Sequence, residues 1–336
     1  MKITIGACLS LTGRHARFGK QAHLGLQVWR SATSQADLVI EDDRSDAQVL
    51  DTCMRRLRDR CDLLLGPYST HLMRRAGAVA AELGCLVWNH GGAGDDVESE
   101  RPGHVVSVLT PAGRYAEPFL RHLAGTGKTP PLWIVHGRGG FGRQVAAGAE
   151  AIARSLGIET IRLGPGDGLP VTEDGAWSLF CAGAFEEDVD TVARARAMPS
   201  PPDTVCAVAA GVREFGRAID DPHGVYGVGQ WFPGSGRAAE TGISETGFLT
   251  AYQEQAGELP DYPAVQAAAT ATIATHCATL AGSTARAALW STAAGLETTT
   301  LFGSFKIDPA TGSQLGHRAT LVRWGADGLS GHASGP

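Results

Sequence analysis

Charge and aromatic side chains are scarce in this chain of 336 residues: 19% of residues are charged and 7% aromatic. The net charge of −6 gives no electrostatic reason to expect nucleic acid or an anionic membrane as a partner. There is no CxxC pair and no His/Cys group at zinc-ligand spacing, so no metal or other cofactor is expected. GxSxG, HExxH, P-loop and DxDxDG patterns are missing too, which leaves no catalytic constellation and argues against an enzyme. The acidic pairs Asp42-Asp43 and Glu186-Glu187 read as charged solvent faces. So does the basic run Arg55, Arg56, Arg58 and Arg60, which has acids interleaved.

Seven cysteines, at 8, 53, 61, 85, 181, 206 and 277, are too odd in number and too scattered for a disulfide framework. Cys8, Cys85 and Cys206 lie in apolar strand-like runs and read as buried thiols, with one bridged pair left open for an oxidising compartment. The opening Met-Lys-Ile-Thr-Ile-Gly has neither the charged nor the apolar region of a secretory leader. Location stays open: extracytoplasmic if a leader was trimmed, cytoplasmic if Met1 is the native start. The longest helix-like apolar stretch, Pro263–Leu280, is rich in Ala and Thr and holds Gln266 and His276; it reads as a buried helix rather than a membrane span.

What the chain does have is alternation. Strand-like Lys2–Leu9, Asp37–Glu41, Asp62–Leu65, Cys85–Trp88 and Val105–Leu109 are separated by helix-like Gly19–Arg30, Ala47–Arg60 and Leu72–Leu83. The pattern restarts with strands Leu132–His136, Glu159–Leu163, Thr204–Ala209 and Val225–Val228 and helices Gln144–Leu156, Asp188–Ala197 and Val212–Ile219. Helices Glu245–Gln255 and Pro263–Ala281 follow, then two strand-like runs around the turn 308–312. This order predicts an α/β protein of two doubly wound parallel-sheet lobes, with ligands at the carboxyl ends of the strands. The two lobes read as an architectural duplication at most.

One segment invites a different reading. In WIVHGRGGFGRQ, Gly137, Gly139 and Gly142 match the GxGxxG that cradles a dinucleotide. Such a site wants an acid ending the next strand about 20 residues on. Asp167 is near that distance, but it follows Gly164-Pro165-Gly166. A dinucleotide-dependent enzyme is therefore kept only as a remote alternative.

Spread over nearly the whole chain, SLTGRHARFGKQAHLGLQ (10–27), LVIEDDRSDAQVLDTCMRRL (38–57), LLLGPYST (63–70), FGRQVAAG (141–148), FLTAYQEQAGELPDYPAVQAAAT (248–270) and GSFKIDPATGSQLGHRATLVRW (303–324) occur in an order that resembles the type I periplasmic binding proteins, leucine/isoleucine/valine-binding branch. The resemblance implies two lobes joined by a three-strand hinge, with residues 1–112 and 237–318 in one and 113–236 and 319–336 in the other. It also implies reversible, non-enzymatic capture of a small metabolite in an inter-lobe cleft, with hinge closure, as the solute-binding component of an ABC importer. Expected partners are the ligand and either transporter membrane subunits or, for a cytoplasmic sensor of the same fold, a regulatory protein; nucleic acid is not bound directly.

A helix N-terminus favours an anion, and Tyr68, Ser69 and Thr70 occupy such a position before Leu72–Leu83, as ligand contacts, as plain N-caps, or as both. A second loop, Asn89, His90, Gly91, Gly92 and Ala93, departs from the family's Ser-Pro-x-x-Thr/Ser. Here the backbone N–H groups of Gly92 and Ala93 are the expected donors, with His90 either at the ligand or merely exposed. Phe18, Phe141 and Trp231 join Tyr68 as candidate aromatic walls, with packing in the lobe core the alternative for each. Where relatives that bind amino acids carry an acid for the ammonium, this chain has Gln230-Trp231, with Glu214 the nearest substitute. An unpaired buried ammonium is costly, which shifts the expected ligand toward a carboxylate, an amide or an aromatic acid.

Overall fold

The computed structural model describes residues 2–33, 36–127, 130–169 and 176–332. The chain ends ascribed above to the lobes, Met1 and 333–336, lie outside the described residues. The chain divides into two compact units, Met1–Thr110 with Gly236–Arg318 and Pro111–Ser235 with Ala319–Pro336.

The first unit begins with β1 (Ile3–Leu9), α1 (Ala16–Ala32), β2 (Ala36–Asp42), α2 (Ala47–Arg58), β3 (Leu63–Leu65), α3 (Thr70–Glu82), β4 (Val87–Asn89) and β5 (Val105–Ser107). Its sheet has the order β2-β1-β3-β4-β5, all parallel. Leu50, Cys53, Met54 and Leu57 of α2 and Leu72, Met73, Ala76 and Val79 of α3 recur at helical spacing and bury one face of it, against Cys8, Leu64, Val87 and Val105. Asp46 caps α2 by accepting from the N–H groups of Gln48 and Val49. Asp42 and Asp43 are not a solvated pair. Asp43 is fully buried, and Asp42 accepts hydrogen bonds from the Leu11, Thr12 and Arg44 amides and the Thr12 hydroxyl, tying the loop after β1 to the turn after β2. The basic run does lie outward, with Arg55 paired to Glu82 and Arg56 to Glu41.

The second unit follows with α4 (Glu117–Gly125), β6 (Leu132–His136), α5 (Gly140–Ser155), β7 (Thr160–Leu163), β8 (Ser178–Ala182), α6 (Phe185–Arg196), β9 (Thr204–Ala207), α7 (Phe215–Ala218) and β10 (Tyr226–Gly229). The chain re-enters the first unit as α8 (Glu245–Ala256), α9 (Tyr262–Ala281), α10 (Arg286–Gly295), β11 (Thr298–Thr300) and β12 (Gly303–Phe305). It ends in the second with β13 (Thr320–Gly325) and β14 (Gly328–Gly331), antiparallel to each other, β13 pairing with β10. The second sheet reads β14-β13-β10-β9-β8-β6-β7. Its parallel part thus repeats the 2-1-3-4-5 strand order of the first, and each sheet has its topological switch point between its first and third strands.

Five of these elements have no counterpart among the segments expected from sequence: α4, β8, α10, β11 and β14. Conversely, Val212–Ile219 shrinks to the four-residue α7. α9 is buried around nearly its whole surface, packed against α1. Among the described residues no helix is long and apolar enough to cross a membrane. All seven cysteines are buried and unbridged.

Candidate functional site

In the first unit the loops after β1, β3 and β4 meet at the switch point. Phe18, in the first turn of α1, stacks on Tyr68 at 4.3 Å between ring centroids, and the Tyr68 hydroxyl lies 3.1 Å from that of Tyr262 at the start of α9. Ser69 is the N-cap of α3 and has φ +91, a conformation that costs an L-residue energy and is held here from both sides. Its amide donates to Gly91 O (3.0 Å), and its hydroxyl accepts from the Leu72 amide (3.4 Å). The hydroxyl of Thr70 accepts from the Gly94 amide (3.0 Å). Both hydroxyls keep a proton to donate.

The loop after β4 corrects two expectations. Asn89 is fully buried and works inward: Oδ1 accepts from the amides of Gly91 (3.1 Å) and Gly92 (2.8 Å), and Nδ2 donates to Gly92 O (2.7 Å) and Ser107 Oγ (2.6 Å). The Gly92 amide is therefore already used and is not the ligand donor expected of it. His90 is neither exposed nor at the surface. It is fully buried, and among the described residues neither ring nitrogen has a hydrogen bond, although the Gly66 carbonyl is near; burial lowers its pKa to about 4 and keeps it neutral. Ala93 is buried as well.

Beneath this loop Glu98, which the sequence did not mark, accepts from the Ser107 hydroxyl and lies 3.4 Å from Asn89 Nδ2; burial pushes its pKa up to about 7. Glu98 follows the 89–93 loop by five residues, behind the acids Asp95 and Asp96, and nothing in that spacing sets it apart from them. It is visible only once β4 and β5 are paired.

In the second unit Phe141 sits in the first turn of α5, edge-on to Tyr115 at 5.3 Å. It is the positional twin of Phe18. FGKQAHLG (18–25) and FGRQVAAG (141–148) share F-G-basic-Q and a closing glycine, a sequence repeat that corrects the view of the duplication as purely architectural. The glycines have a steric reason. A Cβ on Gly19 or Gly142 would stand 2.0 Å from Ser10 O or 2.2 Å from Ala182 O, and one on Gly25 or Gly148 would stand 2.1 Å from Ala264 O or Gly113 O.

The dinucleotide alternative fails here. The Arg138 amide in the glycine loop donates to Glu187 Oε1 (3.3 Å), so a carboxylate occupies the position a pyrophosphate would need. Glu187 is thus a loop clamp rather than a solvent face. Asp167 turns back on its own loop, accepting from the Gly164 amide (2.7 Å). A cavity of about 470 Å³ beside this loop is lined by Asp167, Glu186, Glu187, Asp188 and Asp190 against two cations, Arg138 and Arg194, of which Arg194 is paired with Asp190, so acids outnumber bases where a phosphate would sit.

After β10, Gln230 and Trp231 are both buried, and among the described residues the indole Nε1 of Trp231 has no hydrogen-bond partner. Glu214 sits at the N-cap of α7. Phe18, Tyr68, Ser69 and Thr70 therefore cluster in one unit, and Phe141 marks the corresponding point of the other.

Comparison with known proteins agrees with this geometry. Residues 2–329 match the family model described as periplasmic binding protein. No curated protein sequence matches the chain. Among solved structures, the branched-chain amino acid transporter substrate-binding protein of Streptococcus pneumoniae, in complex with isoleucine, superposes with TM-score 0.79 at 14% identity over 98% of each chain. An ABC transporter substrate-binding protein of Desulfitobacterium hafniense, in complex with Leu, gives 0.80 at 15% over 99% of this chain and 100% of that one. A solute-binding protein of an ABC transporter from Rhodopseudomonas palustris, in complex with 3,4-dihydroxybenzoic acid, gives 0.77 at 15% over 98% and 95%. At these identities the neighbours establish the type I fold of two parallel-sheet lobes, and the match over almost all residues establishes the lineage: the chain belongs to the periplasmic binding protein family, which is non-enzymatic.

Proposed function

We propose that the protein is the solute-capturing component of an ABC importer and that its solute is a small carboxylate, aromatic or aliphatic, without a free ammonium group. The observation that carries this reading is Ser69. It stands in a strained conformation at the N-terminus of a thirteen-residue helix, at the switch point, beside the stacked Phe18 and Tyr68. The helix end and the two hydroxyls suit an anion, and the rings suit an apolar or planar body. The charge balance supports it: the loop 10–18 contributes Arg14 and Arg17, 66–70 and 229–233 contain no acid, and of the two acids that end the loop 89–96, Asp96 is paired with Arg74. Phe141, Gln230 and Trp231 are the proposed solute contacts of the second unit. In the related structures the bound molecules are isoleucine, leucine and dihydroxybenzoate.

A thermal-shift screen with matched pairs tests this directly, because a ligand of the folded state raises the apparent melting temperature. 4-Methylpentanoate and benzoates are expected to raise it, and leucine is not. A shift with leucine and none with its des-amino counterpart would sink the carboxylate reading. A second reading, a cytoplasmic sensor of the same fold, draws support from the seven unbridged thiols.

A further inference from the structure

Far in sequence from the switch-point loops, the second unit holds a chain of titratable rings. Tyr226, the first residue of β10, is buried, and its hydroxyl lies 3.1 Å from His122 Nε2 on α4. His122 Nδ1 lies 3.2 Å from His332 Nε2, in the residue just past β14. The imidazoles are edge-to-face at 4.5 Å, and the Arg323 guanidinium of β13 lies 5.2 Å from the Tyr226 ring centroid. The His332 amide donates to Leu321 O (2.9 Å), so this residue closes the β13–β14 ladder.

We infer that the His122–His332 pair is an acid-released latch that holds the carboxyl-terminal strand β14 on the sheet. The proton count gives the reason. With both rings neutral, one N–H is shared across the 3.2 Å gap and the bond is made. A first added proton is tolerated, since a cationic His122 donates both to Tyr226 Oη and to His332 Nε2. A second puts N–H groups on both sides of the gap, two donors facing each other with two positive charges.

Among the described residues no neighbouring group relieves that charge. The acid of α4 is Glu117, already bridged to Arg114 and Arg121. β10, β13 and β14 contain no acid, and Asp327 sits in the turn at the far end of the hairpin. Glu150 of α5, the helix packed on α4, is paired with Arg162. Arg323 adds a like charge. Both histidines titrate below their ordinary value, through burial first and then, for His122, His332 and Arg323, and for His332, Arg323. A depressed histidine stabilises above its unfolded value and loses that contribution as pH falls. β14 is the edge strand, so its release leaves β13 as a new unpaired edge.

Hydrogen exchange followed by mass spectrometry on the whole chain, corrected for the intrinsic pH dependence, tests the latch. Between pH 7.5 and 5, protection of the β14 and His332 amides is expected to fall on the order of tenfold or more, with β1 and β3 unchanged. In the double variant His122→Asn, His332→Gln the fall should vanish. Constant protection in the unmodified protein, or an equal fall in the variant, overturns the latch. Should the variant already lack β14 protection at pH 7.5, imidazole ¹⁵N titration of the unmodified protein decides: two coupled steps support the latch, and independent single steps near the ordinary histidine value overturn it.

Discussion

Ser69 separates strain from chemistry. Glycine at 69 accepts φ +91 freely and, as an N-cap, costs only a few tenths of a kcal/mol; alanine keeps the strain and loses the cap, costing about 1 kcal/mol. Urea denaturation should therefore rank Ser69→Gly at or near the unmodified protein and Ser69→Ala below it. If the hydroxyl holds the solute, isothermal titration should show both variants weakened alike, despite their different stabilities. Trp231→Ala should weaken binding about tenfold or more if the indole is a solute wall; unchanged affinity would assign it to the interior of its unit.

Two buried groups oppose each other in pH. Glu98, raised to about 7, stabilises the fold below its unfolded value of 4.5, and that contribution is lost as pH rises toward 7. His90, lowered to about 4, stabilises above 6.5, and that contribution is lost as pH falls toward 4. Each slope amounts to up to about 3 kcal/mol. Glu98→Gln should thus remove one slope and expose the other: denaturant midpoints should fall more steeply from pH 6.5 to 4 in the variant than in the unmodified protein.

At the scale of elements, the sequence was most readable where periodicity and termini agreed. Strand 132–136 was bounded correctly because a continuous apolar run is cut off by Gly137. β8 has no expected counterpart although all of its residues are buried and Gly183 cuts the run off as Gly137 does for 132–136: five residues without alternation are too few for periodicity to separate strand from helix. α4 was obscured by Pro118, which is harmless in a helix's first turn. Val212–Ile219 promised a full helix, but Gly216 lies against the Trp324 ring, leaving room for one turn. At the candidate site the resemblance pointed to loops, not to the direction side chains take: Asn89 and His90 stand in the right loop and face inward. The helix crossings offer their own test. Gly25→Ala would drive a methyl into the Ala264 carbonyl of α9, a backbone atom that cannot rotate away, and should cost about 1–3 kcal/mol or more by chemical denaturation.

At the scale of the whole molecule, the thiols report on folding and on compartment. All seven are buried, so native protein at neutral pH should react slowly with Ellman's reagent, and guanidinium should release seven equivalents; fewer would reveal a bridge. Cys53 should be modified first. Its hydrogen bond with Cys8 lowers its pKa, whereas burial raises those of Cys61, Cys85, Cys181, Cys206 and Cys277.

The twin segments at 18–25 and 141–148 divide their labour between fixed and free letters. The glycines answer to carbonyl oxygens of the surrounding backbone, so no solute can ask them to change. The aromatics answer to side chains: Phe18 to Tyr68 and Arg17, Phe141 to Tyr115. If these two rings touch the solute, as proposed, substitutions at 18 and 141 should alter its preference while the frame that seats both helices stays as it is.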